Sequence, residues 1–204
     1  MIFDELGLKV LDGNIWDLLR GIASDISQNS ANAIKWINQA EAGWKSDLAY
    51  DELITELKAK FPGYFQHYGS WQERTNKFSE EVFACYCFVD ILNVMGYFIT
   101  VDWKESGDAY VLSLLSQQFE LLGLQAIDVK IIDKFAEDYI DSPLREASSY
   151  LTKLMKTLAQ ERGCDILFCD NGNDETIFAT VSQEVFSRLY MVEINNGSLI
   201  FSDQ

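Results

Sequence analysis

Two tripeptides have the residue types and spacing of a metal-dependent nuclease strand: Asp102-Trp103-Lys104 and Asp128-Val129-Lys130. On a β-strand, residues two apart share a face, so a carboxylate that holds magnesium would stand beside a lysine that steadies a phosphate. Such a site also needs a second acidic ligand and a basic surface for its substrate. The acid nearest upstream is Asp90, which lies in a helical stretch. A metal-dependent hydrolase or nuclease built on Asp102, Asp128 and Lys130 is therefore carried as an alternative, and an ordinary strand with one wet face as the simpler reading. Asp170-Asn171-Gly172-Asn173-Asp174-Glu175 has the composition of a calcium loop. An EF-hand loop needs oxygen ligands at positions one, three and five, glycine at six and glutamate at twelve. Here Gly172 is third, Glu175 sixth and Val181 twelfth, so a turn is expected in place of a metal site.

Nucleophilic and cofactor chemistry have less support. No Gly-x-Ser-x-Gly and no glycine-rich phosphate loop occurs, and the single histidine, His67, lies in a polar stretch around residues 62–71. The four cysteines, Cys85, Cys87, Cys164 and Cys169, sit inside apolar runs without a Cys-x-x-Cys pair, which predicts buried reduced thiols and no metal. No cofactor is expected.

Charge is the most unusual global property. With 32 acids against 16 bases the net charge is −16. Residues 1–102 carry 15 acids and 8 bases, and residues 103–204 carry 17 and 8, so the excess is spread over the fold. Residues 163–204 are the most anionic part, with seven acids and one base, Arg188. A summed negative field repels nucleic acid and anionic membrane, so neither is an expected partner, whereas a basic protein would be steered inward.

Elements that would position these residues follow from periodicity. Ile15, Leu18, Leu19, Ile22 and Ile26 predict a helix over 14–27 with Asn14 as its cap, followed by helices over 31–40 and 47–60. Trp16, Trp36 and Trp44 are expected as packing residues. Val82–Ile99 is long and apolar enough to raise a membrane span, but Asp90 and Gly96 interrupt it, so a buried helix capped by Ser79 and then a strand over 97–103 are expected. A helix over 108–122, a strand over 126–132 and a long helix with Ser142 as its cap and Pro143 at its first position follow, the first two completing a βαβ unit. Cys164–Val181 reads as a hairpin about an acidic tip; then come a helix over 182–189 and strands over 192–194 and 199–201 about Asn195-Asn196-Gly197. Met1–Glu5 lacks a positive leader region, so no signal peptide is expected. The predicted fold class is α+β: a helical N-terminal third, then a mixed β-sheet of about five to six strands with packed helices. It is expected as a single domain, with a helical subregion over 1–76 and the α+β core over 77–204.

The stretch Ile99-Thr100-Val101-Asp102-Trp103-Lys104-Glu105, taken with Gly172-Asn173-Asp174-Glu175, resembles uncharacterised bacterial domain families, some of them immunity proteins that accompany secreted toxins. That resemblance implies a small, acidic, cytoplasmic, non-catalytic protein that binds another protein. The acids themselves point to Asp102, Glu105, Asp108, Asp165, Asp170, Asp174 and Glu175 as the docking face for a basic partner, with Trp103 as an aromatic anchor. A structural or oligomerising domain is the third reading. Oligomeric state and partner identity are left open.

Overall fold

The computed structural model describes residues 2–3, 9–11, 13–60, 71–102, 108–139, 141–172, 174–194 and 199–203. Among them are nine helices and seven strands, and the class is α+β. The chain divides into two compact units, residues 1–95 with 191–200, and residues 96–190 with 201–204.

The first unit is built on helices. Asn14 Oδ1 accepts hydrogen bonds from the backbone of Trp16 and Asp17 at 3.0 and 3.2 Å, which starts α1 (Ile15–Ile26) where the sequence places it. Its buried stripe is Ile15, Trp16, Leu19, Ile22, Ala23 and Ile26. Helix α2 (Ala31–Lys45) runs five residues further than its periodicity predicts, and α3 (Asp47–Lys60) follows it directly. The two approach so closely that a Cβ at Gly43 would meet Tyr50 Cα at 3.0 Å, a contact only glycine avoids. Short α4 (Trp71–Lys77) contributes Arg74, which is 1% exposed. Its guanidinium lies 4.0 Å from the Tyr50 ring and donates from one nitrogen to the Gly43 carbonyl at 2.9 Å and to Asp47 at 3.2 Å. Ser79 Oγ accepts from Val82 N to open α5 (Glu80–Val94). That helix is apolar nearly all round and buries Phe83, Cys85, Cys87, Phe88, Ile91 and Leu92, against both α1 and α2. No helix of the described residues is long and apolar enough to cross a membrane. Trp16 and Trp36 are buried, and Trp44 packs 5.2 Å from Phe83, so these tryptophans do serve as packing residues. Two short strands, β1 (Ile2–Phe3) and β2 (Lys9–Leu11), carry no sequence signal strong enough to predict them. They pair antiparallel, and β2 also pairs in parallel with β6 (Val192–Ile194).

The second unit contains the sequence stretches singled out for chemistry. Strand β3 (Ile99–Asp102) pairs antiparallel with β5 (Glu175–Ser182), which pairs antiparallel with β4 (Cys164–Asp170). The hairpin expected over 164–181 is therefore present. Helix α6 (Tyr110–Leu121) and α8 (Leu144–Gln160) cover it with Leu112, Leu115, Phe119, Leu151, Met155 and Leu158, which meet Ile99, Val101, Ile166, Phe168 and Phe178 in one core. Ser182 caps α9 (Gln183–Leu189). The remaining strand, β7 (Leu199–Ser202), is divided between the units; the turn expected at 195–197 lies outside the described residues.

Two expectations are corrected here. Residues 126–132 form no strand: α7 spans Val129–Tyr139, so the βαβ unit does not exist. Asp128 decides this, since its Oδ1 accepts from Lys130 N at 3.0 Å and its carbonyl from Ile131 N at 2.8 Å, a helix start in place of an extended rung. Ile131, Phe135 and Tyr139 then continue at helical spacing past the short window in which alternation was visible. Secondly, Pro143 itself is the cap of α8, because its carbonyl accepts the first helical bonds, from Glu146 N at 2.9 Å and Ala147 N at 3.1 Å; Ser142 lies one residue outside.

One buried polar side chain completes the strand ladder where β3 ends. The register pairs Ile99 with Phe178, so the next rung would set Tyr97 opposite Thr180, but β3 has already ended. Gln118 of α6 fills that rung with its carboxamide, accepting from Thr180 N at 2.7 Å and donating to the carbonyls of Tyr97 at 2.8 Å and Gly96 at 3.2 Å. Gln118 is 2% exposed. Replacing Gln118 by leucine strands a buried N–H and weakens the hold on two carbonyls, so it should lower unfolding free energy by about 2–4 kcal/mol in urea titration. A loss below about 0.5 kcal/mol would show that the rung is dispensable.

Candidate functional site

The register that Gln118 supports places Asp102, the last residue of β3, directly opposite Glu175, the first of β5. Side chains opposed in this way have Cβ atoms about 4.5–5.5 Å apart, so two carboxylates share one spot at the strand ends. Both residues are exposed, as are Asp170 and Asp174 at the hairpin tip. The tip is shaped by Asp170, whose Oδ1 accepts from Gly172 N at 2.8 Å, and by Gly172 at φ +75°, a left-handed position that a side chain would strain. Asp102, Asp170, Asp174 and Glu175 thus gather at one end of β3, β5 and β4. Asp165 lies at the other end of β4, opposite Val181 and roughly 16 Å away at strand rise, so it does not belong to the cluster.

The other expected docking residues fall elsewhere. Trp103 and Glu105 lie outside the described residues. Asp108 is exposed just before α6, where its Oδ1 accepts from Tyr110 N at 3.1 Å and its carbonyl from Val111 N at 3.1 Å. Its carboxylate therefore starts a helix, a structural duty that accounts for an acid at this position.

The geometry that the nuclease alternative requires is missing at Asp128 and Lys130. They stand two apart at a helix start, where such residues do not face each other, and the Asp128 carboxylate is engaged with the backbone. Among the described residues no group of three His, Cys, Asp or Glu side chains is arranged to hold a metal ion. Three of the thiols, Cys85, Cys87 and Cys164, are held in their neutral form. Burial, with Glu81 adding, pushes Cys85 up to about 12, and burial with Asp90 raises Cys87 well above the ordinary thiol range. Half-buried Cys164 is raised by burial and by Asp165. A thiol nucleophile needs the opposite shift.

No protein-family model matches this chain, and neither a curated protein nor a solved structure matches it.

The pairing of Asp102 with Glu175 was not visible in the sequence, because the two acids are distant along the chain and only strand pairing joins them. Like charges directly opposite destabilise a sheet, typically by a few tenths to about 1 kcal/mol. Glu175→Lys should therefore raise the thermal midpoint by about 1–4 °C at low salt, with the gain shrinking in 1 M salt as charges are screened. An unchanged or lower midpoint at low salt would mean that the two carboxylates do not repel each other across the strands.

Proposed function

We propose that this chain is a non-catalytic protein-binding domain that docks a basic protein on the acidic end of β3, β5 and β4, as an immunity protein covers a basic toxin. The observation that carries this reading is the opposition of Asp102 to Glu175 beside Asp170 and Asp174. Four exposed acids converge where three strands end, a concentration of negative charge that a cationic partner would complement. They also include three of the seven acids in the chain's most anionic stretch. Charge concentrated at one end raises encounter rates with a basic surface and fixes its orientation, while aromatic anchors supply most of the affinity. Trp103, the residue after Asp102, is the anchor closest in sequence to the cluster. A reducing, cytoplasmic setting suits the reduced cysteines, three of which are buried.

The test is titration calorimetry against basic proteins, beginning with any basic, toxin-like product of an adjoining gene. Affinity should fall at least about tenfold between 50 and 200 mM salt. Combining Asp170→Lys, Asp174→Lys and Glu175→Lys should abolish binding while leaving the far-ultraviolet circular dichroism unchanged. Undiminished affinity in the triple variant would overturn the assignment of the face.

A further inference from the structure

Helices α7 and α8 hold a second feature of opposite character. Phe135, Tyr139 and Tyr150 form a cluster of nearly parallel rings: centroids 5.0 Å apart at 19° for Phe135 and Tyr139, 4.6 Å at 22° for Tyr139 and Tyr150, and 6.0 Å at 18° for Phe135 and Tyr150. Phe135 is buried, whereas Tyr150 remains 45% exposed, so the cluster presents an aromatic surface. Two open hollows share Tyr150. The larger, of about 560 Å³, is bounded by Tyr139, Pro143, Glu146, Ser149, Tyr150 and Lys153. The smaller, of about 290 Å³, adds Lys130 and Lys134. The larger volume is that of a small-molecule site.

The lysines give the hollows their chemistry. Acids outnumber bases two to one in this chain, and Arg20, Lys35 and Lys156 each hold a carboxylate. Lys130, Lys134 and Lys153 make no ion pair among the described residues. Three exposed lysines without a carboxylate partner among the described residues thus stand beside an aromatic surface, where they are open to an anion. Glu146 and Asp138 also line the hollows. Along α8, Glu146 stands one turn before Tyr150 and Lys153 one turn after it, so the two charges set a direction for any ligand lying on the ring. Burial, then Tyr150, Glu146 and Asp138, raise Tyr139 above its ordinary value, so its hydroxyl stays protonated and can donate.

We propose that the α7–α8 groove binds a small planar aromatic anion, its ring laid on Tyr150, which Tyr139 backs on its other face, and its acid group turned toward Lys153 and away from Glu146. Ring stacking supplies orientation and area, and the ammonium supplies a charge-assisted hydrogen bond. The acid group is a carboxylate or a phosphate; both present oxygen acceptors to the same lysine. This site is separate in residues and in charge from the acidic face, so each stands or falls alone.

Ligand-detected saturation-transfer NMR on the full chain tests it, with 2-naphthoate as the carboxylate probe and adenosine 5′-monophosphate as the phosphate probe. Their neutral counterparts, 2-naphthalenemethanol and adenosine, are the controls. At least one anion should bind in the range of about 0.1–1 mM, at least about tenfold more tightly than its neutral counterpart. Binding by one probe alone, or by both, supports the groove and identifies the acid group it takes. Lys153→Ala should weaken binding about tenfold, Lys153→Arg should restore most of it, and Glu146→Gln should strengthen it. Tyr150 is partly exposed, so Tyr150→Ala should keep the fold, checked by circular dichroism, and lose the signal. No saturation transfer from either anion at 10 mM overturns the proposal, as do equal binding of the neutral counterparts and unaltered binding by Tyr150→Ala.

Discussion

A single carboxamide completes the strand ladder of the second unit where β3 ends. Buried backbone N–H and C=O groups must find partners, and a sheet normally supplies them by adding another strand. Strand β3 is only four residues long, so β5 outruns it and Thr180 would be left with a buried N–H. Gln118 reaches in from α6 and takes the place of the missing rung, closing it to Tyr97. One side chain thereby joins helix, strand and the chain leading into β3. The register it supports runs the full length of β3, and at its far end that register sets Asp102 against Glu175. The charged end is the consequence of a hydrogen-bond requirement at the other.

The acidic end and the interior of this unit obey opposite rules. Away from that end, Arg162 lies 4.6 Å from the Phe119 ring and donates to the carbonyls of Leu158, Gln125 and Ala126, tying the chain between α6 and α7 to the end of α8. At the strand ends like charges are set opposite each other on exposed residues. A sheet free to choose would pair an acid with a lysine there, since opposed unlike charges stabilise. Four exposed acids at that end concentrate negative charge where three strands terminate, and the proposed docking of a cationic surface rests on that concentration.

Much of this architecture was legible from local pattern. Asn14, Ser79 and Ser182 each precede an amphipathic or apolar run and each caps a helix. The β-branched and aromatic residues from Thr176 to Val181, after a glycine-containing turn, form the expected strand. Residues 126–132 misled because Ile127, Val129 and Ile131 alternate over a stretch too short to distinguish a period of two from one of 3.6; the cap at Asp128 and the continuation to Phe135 and Tyr139 resolve it. What depends on distant partners was not legible. Gln118 looks like any polar residue on a helix, and Asp102 like any acid at the end of a strand, until β5 is placed beside β3. The groove under Tyr150 likewise needed α7 to be a helix before Phe135, Tyr139 and Tyr150 could meet.

Hydrogen–deuterium exchange of the free protein and of its complex with the basic partner tests the central claim most directly. The account predicts that protection on binding concentrates in peptides covering Thr100–Asp102 and Asp170–Thr176, with little change in Cys164–Leu167 at the opposite end of β4. Protection confined to other segments, with the acidic strand ends exchanging as in the free protein, would contradict it.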